Sequence, residues 1–287
     1  MRFLATTLTF PTLPWMIKIL FSFGLILLTN QLLKNLTCSV LLGAVSLALF
    51  SGHSLENFFS ITTARLLSLN HLLLLVVIAL IFWLSGQMAA TGAMDEMVAL
   101  IRKRLSARGA IATLPAIVGL LPAPGGALFS APLVDYCDPQ SQLTPQLKTL
   151  INYWFRHVWE YWWPLYPGVL LAMEITGLGT PQLILFGLPF TFLALLVGYY
   201  FFLRPLPPAS GKPRKIEKQE RQQLLLTLLP VLIIIGLHIL AQLFFPAVIR
   251  FNKYLPICLG TLIAIVFLQR IRPLTMMGWR QILEQTK

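Results

Sequence analysis

The residues best suited to chemistry lie between Pro122 and Glu160. Pro124, Gly125 and Gly126 sit in a run, Pro122 to Pro132, that holds three prolines and two adjacent glycines, and no charged residue occurs from Ala110 to Val134. Proline lacks an amide donor and clashes with the preceding helical turn, while paired glycines add backbone freedom. The run therefore combines the hydropathy of a membrane segment with the backbone chemistry of a turn. A broken helix at membrane depth is tolerated only inside protein or beside a watery cavity. There its freed amide and carbonyl dipoles can face a solute. Ser130 adds a hydroxyl, Asp135 a carboxylate at the exit of the run able to organise a cation or proton, and Arg156 a guanidinium for an anion. Pro124, Gly125, Gly126, Ser130, Asp135 and Arg156 thus form the candidate solute-binding set. Each also has a plainer reading: a packing glycine, a serine bonded within its helix, a helix cap, a positive-inside charge.

Other chemistries find less support. Ser130 has no evident base, and His157 with Asp138 makes no recognised catalytic pair, so the expectation is not an enzyme. Cys38, Cys137 and Cys258 are odd in number and widely separated, which argues against both a disulfide framework and a metal cluster. No cofactor is expected, beyond coupling to protons or sodium.

Hydrophobic residues make up 57% of the 287 and charged residues 11%, with a mean hydropathy of +0.77, far from the balance of a soluble domain. The expected class is an all-α, polytopic membrane protein whose first partner is the lipid bilayer. The net charge of +12 gathers in loops between apolar runs, which positive-inside topology explains without nucleic acid.

The elements that must position the candidate residues follow from the apolar runs. Spans are expected at 14–33, a short one at 36–50 with Gly43 and Ala44 for close helix approach, and at 72–90. An amphipathic interfacial helix is expected at 55–69. Arg102, Lys103, Arg104 and Arg108 mark the 91–109 loop as cytoplasmic. A re-entrant or broken-helix hairpin occupies 110–134. Asn152 to Gly168 holds four of the seven tryptophans and reads as an interfacial aromatic belt, with Arg156 and Glu160 four apart on one face. A role for Arg156, His157 or Glu160 at the mouth of the site is the alternative. Spans follow at 161–176, 182–203, 224–244 and 255–268, with His238 in mid-helix and Glu174 near a span end.

The basic stretch 204–222 reads as a cytoplasmic linker. It separates a first transmembrane repeat, 1–203, from an incomplete second one, 223–287. Counting spans from the basic loops puts the N-terminus outside and the C-terminus in the cytoplasm, so the two units begin on opposite sides, as an inverted repeat requires.

Two stretches, Leu120 to Asp135 and Ile151 to Gly168, resemble an integral-membrane family of bacteria and archaea known as domain of unknown function 401. That family is similar in plan to the ion-transporter superfamily of gluconate, dicarboxylate, arsenite and sodium/proton carriers. The resemblance implies an inverted-repeat secondary carrier in a bacterial inner membrane, each repeat contributing a hairpin tip, with Pro122 to Ser130 as the first. Family members run to about 400 residues, so it further implies that this chain lacks the second tip. The expected function is a permease for a small solute such as an organic anion, coupled to protons or sodium, with a homo-oligomer left open. The alternative is a truncated, non-transporting homologue or a membrane subunit that needs a partner.

Overall fold

The computed structural model describes residues 14–103, 105–121, 126–138, 142–206 and 217–285. Within them every regular element is helical. Helices at 15–33, 69–90, 180–203 and 218–244 are long and apolar enough to cross a bilayer, and shorter apolar helices lie at 36–50, 109–119, 167–176 and 255–271. The chain is an all-α, polytopic membrane protein. It forms two compact units, residues 1–72 and 73–287.

In the first unit α1 (Trp15–Leu33) folds against α2 (Leu36–Phe50) across a two-residue turn. Lys34 takes the left-handed conformation at φ 48°, and the Asn35 side chain caps α2 by accepting from the Cys38 amide at 3.1 Å. The Ser22 hydroxyl donates to the Gly43 carbonyl, and the Ser46 hydroxyl donates to Ser22 at 3.2 Å. A Cβ on Gly43 would lie 2.3 Å from Ile26 Cγ1, so the close approach expected of this glycine is made with α1. Gly43→Leu is expected to pry the hairpin open at a cost of about 1–3 kcal/mol. The measurement is oxidative cross-linking of Ser22→Cys to Ser46→Cys in a background free of native cysteines. Cross-linking should fall sharply with Gly43→Leu, and an unchanged yield would contradict the contact. Helix α3 (Leu55–Leu66), capped by Ser54, exposes apolar side chains such as Leu55, Phe59 and Ile61.

Helix α4 (Leu69–Ala90) runs on into the second unit, where it buries Val77, Ile81, Leu84 and Met88. Gly92, at φ 68°, separates it from α5 (Ala93–Arg102). The 91–109 segment, expected as a loop, therefore carries a helix. Met94, Met97 and Val98 recur at helical spacing and are buried, which a count of its charges alone obscures.

Helices α6 (Ala107–Gly119) and α7 (Gly126–Tyr136) pack on each other and on α8 (Pro145–Arg156). Each of the hairpin helices contains a proline, Pro115 and Pro132, and each extends beyond the expected 110–134 run. After α8 the chain turns irregularly through 157–166 before α9 (Pro167–Thr176), so no span begins at Tyr161. Pro164 and Pro167 explain this: a helix begun at Tyr161 would meet one proline in its interior and another soon after. Pro167 instead opens α9, where a missing amide costs nothing.

Helix α10 (Thr180–Gly198) continues through a π-helical turn, Tyr199–Leu203. Helix α11 (Lys218–Phe244) starts inside the expected linker because Glu217 and Glu220 form a capping box. Helices α12 (Pro246–Phe251), α13 (Leu255–Ile271) and α14 (Met276–Gln285) complete the unit. Gly260 brings α13 against α11, where a Cβ would lie 2.9 Å from the Ile234 Cα. In α14, Ile282 packs against Gly86 of α4.

Candidate functional site

The break at 157–166 is held between the C-terminal end of α6 and one face of α10. The last carbonyls of a helix have no partner within it. In α6 three of the late carbonyls are satisfied from the break. Trp159 Nε1 donates to Ala116 O at 2.7 Å, Trp163 Nε1 to Leu120 O at 2.8 Å, and the Tyr166 hydroxyl to Gly119 O at 2.7 Å. A Cβ on Gly119 would fall 2.1 Å from the Arg156 carbonyl oxygen, so the end of α8 lies directly against the end of α6.

On the other side, α10 presents Gly187, Thr191, Ala194 and Gly198, all buried and spaced by four, three and four residues. This stripe admits the break's own backbone: a Cβ on Gly187 would lie 2.4 Å from Tyr161 O. The Thr191 hydroxyl donates to Val158 O at 2.6 Å and accepts from Trp162 Nε1 at 2.9 Å, while Trp154 Nε1 donates to Ala194 O at 2.8 Å. All four indole N–H groups in this region thus bond inward to protein. That corrects the aromatic-belt reading, in which they would face headgroups. The indoles replace backbone hydrogen bonds lost where the helix stops, which is the condition for irregular backbone at membrane depth.

Arg156, the last residue of α8, is 6% exposed. Its guanidinium Nε is fully buried and has no hydrogen-bond partner among the described residues, while the Glu160 carboxylate lies near enough to interact with its charge. Next to it, His157 Nδ1 lies 3.1 Å from Glu160 Oε1, while His157 Nε2 is buried without a partner. Among the described residues two adjacent buried nitrogens therefore lack partners where α8 unwinds beside α6: the Arg156 Nε donor and His157 Nε2, the acceptor left when Nδ1–H donates to Glu160. A buried guanidinium costs free energy unless a partner offsets it, and a carboxylate or other oxyanion matches its planar fork.

The other expected site residues divide. Pro124 and Gly125 lie outside the described residues, and Gly126 begins α7. Ser130 is buried and donates to Asn152 Oδ1 at 2.6 Å, tying α7 to α8. Asp135 is nine residues beyond Gly126, about 14 Å along the helix. Its side chain is 69% exposed and pairs with Lys148 Nζ at 3.1 Å. The structure thus brings Ser130 against α8 and leaves Asp135 at the opposite end of α7 from Gly126.

Lys148 also pairs with Asp138 at 3.0 Å, in the connection between α7 and α8 outside any span. Burial alone would raise the Asp138 carboxyl, but the Leu143 amide, Lys148 and the Gln142 amide outweigh it and hold the carboxyl below its ordinary 3.8. A carboxyl lowered on folding stabilises the fold above its unfolded pKa, and that contribution is lost as pH falls through the lowered folded value. Asp138→Asn is expected to melt below the parent at neutral pH and to lose the parent's decline in melting temperature on acidification below about pH 4. Thermal unfolding across pH checks this, and parallel curves for the two proteins would contradict it.

The sequence matches the family described as protein of unknown function (DUF401) over residues 16–258, well over half its length. The chain belongs to the DUF401 family. No curated protein and no solved structure matches it. In this DUF401 chain the matched region contains both hairpin helices, the break and all of α10. Trp159, Trp163 and Tyr166, which build the site by capping α6, are absent from the expected set. Their available signal is Pro164 and Pro167, which forbid a continuous helix and so leave nearby donors to satisfy a helix end. His157, named from sequence only as an alternative at the mouth of the site, is placed beside Arg156 and Glu160.

Proposed function

We propose that this chain is a secondary carrier for a small organic anion, with Arg156 as the group that binds it. The observation that carries the reading is the buried Arg156 guanidinium, its Nε without a partner among the described residues, at a helix break that packs against α6. An anion entering there gains charge-assisted hydrogen bonds and relieves a desolvated charge, so binding and fold stability are linked. On this reading α6 and α7 form a re-entrant hairpin, and Pro124, Gly125 and Gly126 belong to the solute-binding set. Protons or sodium drive accumulation, and the two transmembrane repeats are inverted relative to each other. The N-terminus lies outside and the C-terminus in the cytoplasm of a bacterial inner membrane.

The test is uptake into proteoliposomes containing only this chain, with labelled gluconate, succinate and lactate and with imposed proton and sodium gradients. The Gly125→Leu, Gly126→Leu double variant serves as control. Gradient-dependent uptake of at least one anion, lost in the variant, is the expected result. A folded, inserted protein that moves none of them under either gradient contradicts the proposal.

A further inference from the structure

A groove of about 1000 Å³ runs along α10, with α11 on its far side and Trp162 and Trp163 of the break at its wall. It extends from Thr180 to Leu196, sixteen residues or about 24 Å of helix, and its lining is almost wholly apolar. The exceptions include a cluster at one end. Thr180 Oγ1 lies 2.9 Å from His238 Nε2, and Gln242 Nε2 lies 3.0 Å from the same nitrogen. His238 is 5% exposed, and its Nδ1 is buried without a partner. It sits six residues before the end of α11, level with the first residue of α10, rather than in mid-helix as the sequence suggests. No charged side chain lines the groove.

An elongated apolar trough with a hydrogen-bonding end has room for an acyl chain and its head. Moving an acyl chain from bilayer to groove gains little, because lipid tails are as apolar as the lining. Preference for one lipid must therefore come from the head. A phosphodiester would be left unpaired at an uncharged cluster, at the cost of burying a charge. A protonated carboxylic acid both donates and accepts, as threonine, histidine and glutamine require. We propose that the groove binds a long-chain fatty acid from the surrounding bilayer, its carboxylic acid at Thr180, His238 and Gln242 and its chain running towards Leu196. This site is independent of the anion reading of Arg156.

The experiment is photo-cross-linking of the reconstituted full chain with a diazirine-labelled stearic acid, mapped by peptide mass spectrometry. Labelling should concentrate on α10 and α11 and be displaced by unlabelled stearic acid, but not by methyl stearate or phosphatidylcholine. The Thr180→Val, Gln242→Leu double variant should reduce it roughly tenfold, the loss of one to two net hydrogen bonds. Leu188→Trp, which fills the trough and leaves the cluster intact, should reduce it as well. Labelling spread equally over α1 and α10, equal displacement by methyl stearate or phosphatidylcholine, or full labelling in both variants would overturn the proposal.

Discussion

Replacing Arg156 by methionine is expected to raise the melting temperature of the purified protein and to abolish its stabilisation by anions. The two effects have one cause. The guanidinium is buried and its Nε has no partner among the described residues, so the nearby Glu160 offsets its charge only in part and a desolvation cost remains. Exchanging buried charges for apolar side chains of similar volume is often stabilising by about 1–4 kcal/mol. At about 2–4 °C per kcal/mol for a chain of this size, a rise of several degrees follows. Anion affinity should fall about 100-fold, the loss of charge-assisted bonds worth roughly 3 kcal/mol. Arg156→Lys keeps the charge but not the planar fork and should bind with intermediate strength. Differential scanning fluorimetry with and without gluconate or succinate reads both quantities. A methionine variant that melts lower yet still responds to anions would make Arg156 a structural residue.

The second large effect is expected at Gly119. Even alanine there brings its Cβ to 2.1 Å from the Arg156 carbonyl oxygen and 3.0 Å from the carbonyl carbon, and neither is the end of a flexible side chain. Helices α6 and α8 must separate, which pulls Trp159, Trp163 and Tyr166 off the α6 carbonyls. Each buried polar group left unpaired costs about 1–3 kcal/mol. Gly119→Ala should therefore lower the yield of folded protein severely and its melting temperature by on the order of 10 °C. Gly168, in the neighbouring α9, offers an internal control, since a Cβ there meets nothing within 4 Å. Gly168→Ala should behave as the parent does. Similar behaviour of the two variants would mean that α6 and α8 do not meet at Gly119.

The long spans, and the interruption between α6 and α7, were legible because their signals are local: a long apolar run, or prolines and glycines inside one. The close approach at Gly43 was legible for the same reason. The broken segment was less so. A tryptophan-rich stretch beside a charge reads as an interfacial belt, and only the tertiary contacts of Trp159 and Trp163 with α6 carbonyls show otherwise. The stripe Gly187, Thr191, Ala194 and Gly198 is visible in sequence, but its occupant is irregular backbone rather than a helix, which no periodicity encodes. Arg156 was nameable as a cation near the hairpin. That its Nε lacks a partner among the described residues depends on where the fold sends the carboxylates: Asp135 and Asp138 both go to Lys148, and Glu160 hydrogen-bonds His157. His238 drew notice as an ionisable residue in a span, while its neighbours Thr180 and Gln242 come partly from another helix.

The most direct test of an anion site at Arg156 is phenylglyoxal modification of the reconstituted protein, followed residue by residue with peptide mass spectrometry. Arg280, exposed and paired with Glu284 of its own helix, is the reference. The account predicts that gluconate or succinate slows modification of Arg156 while leaving that of Arg280 unchanged. Modification of Arg156 at the same rate with and without every anion tested would contradict it.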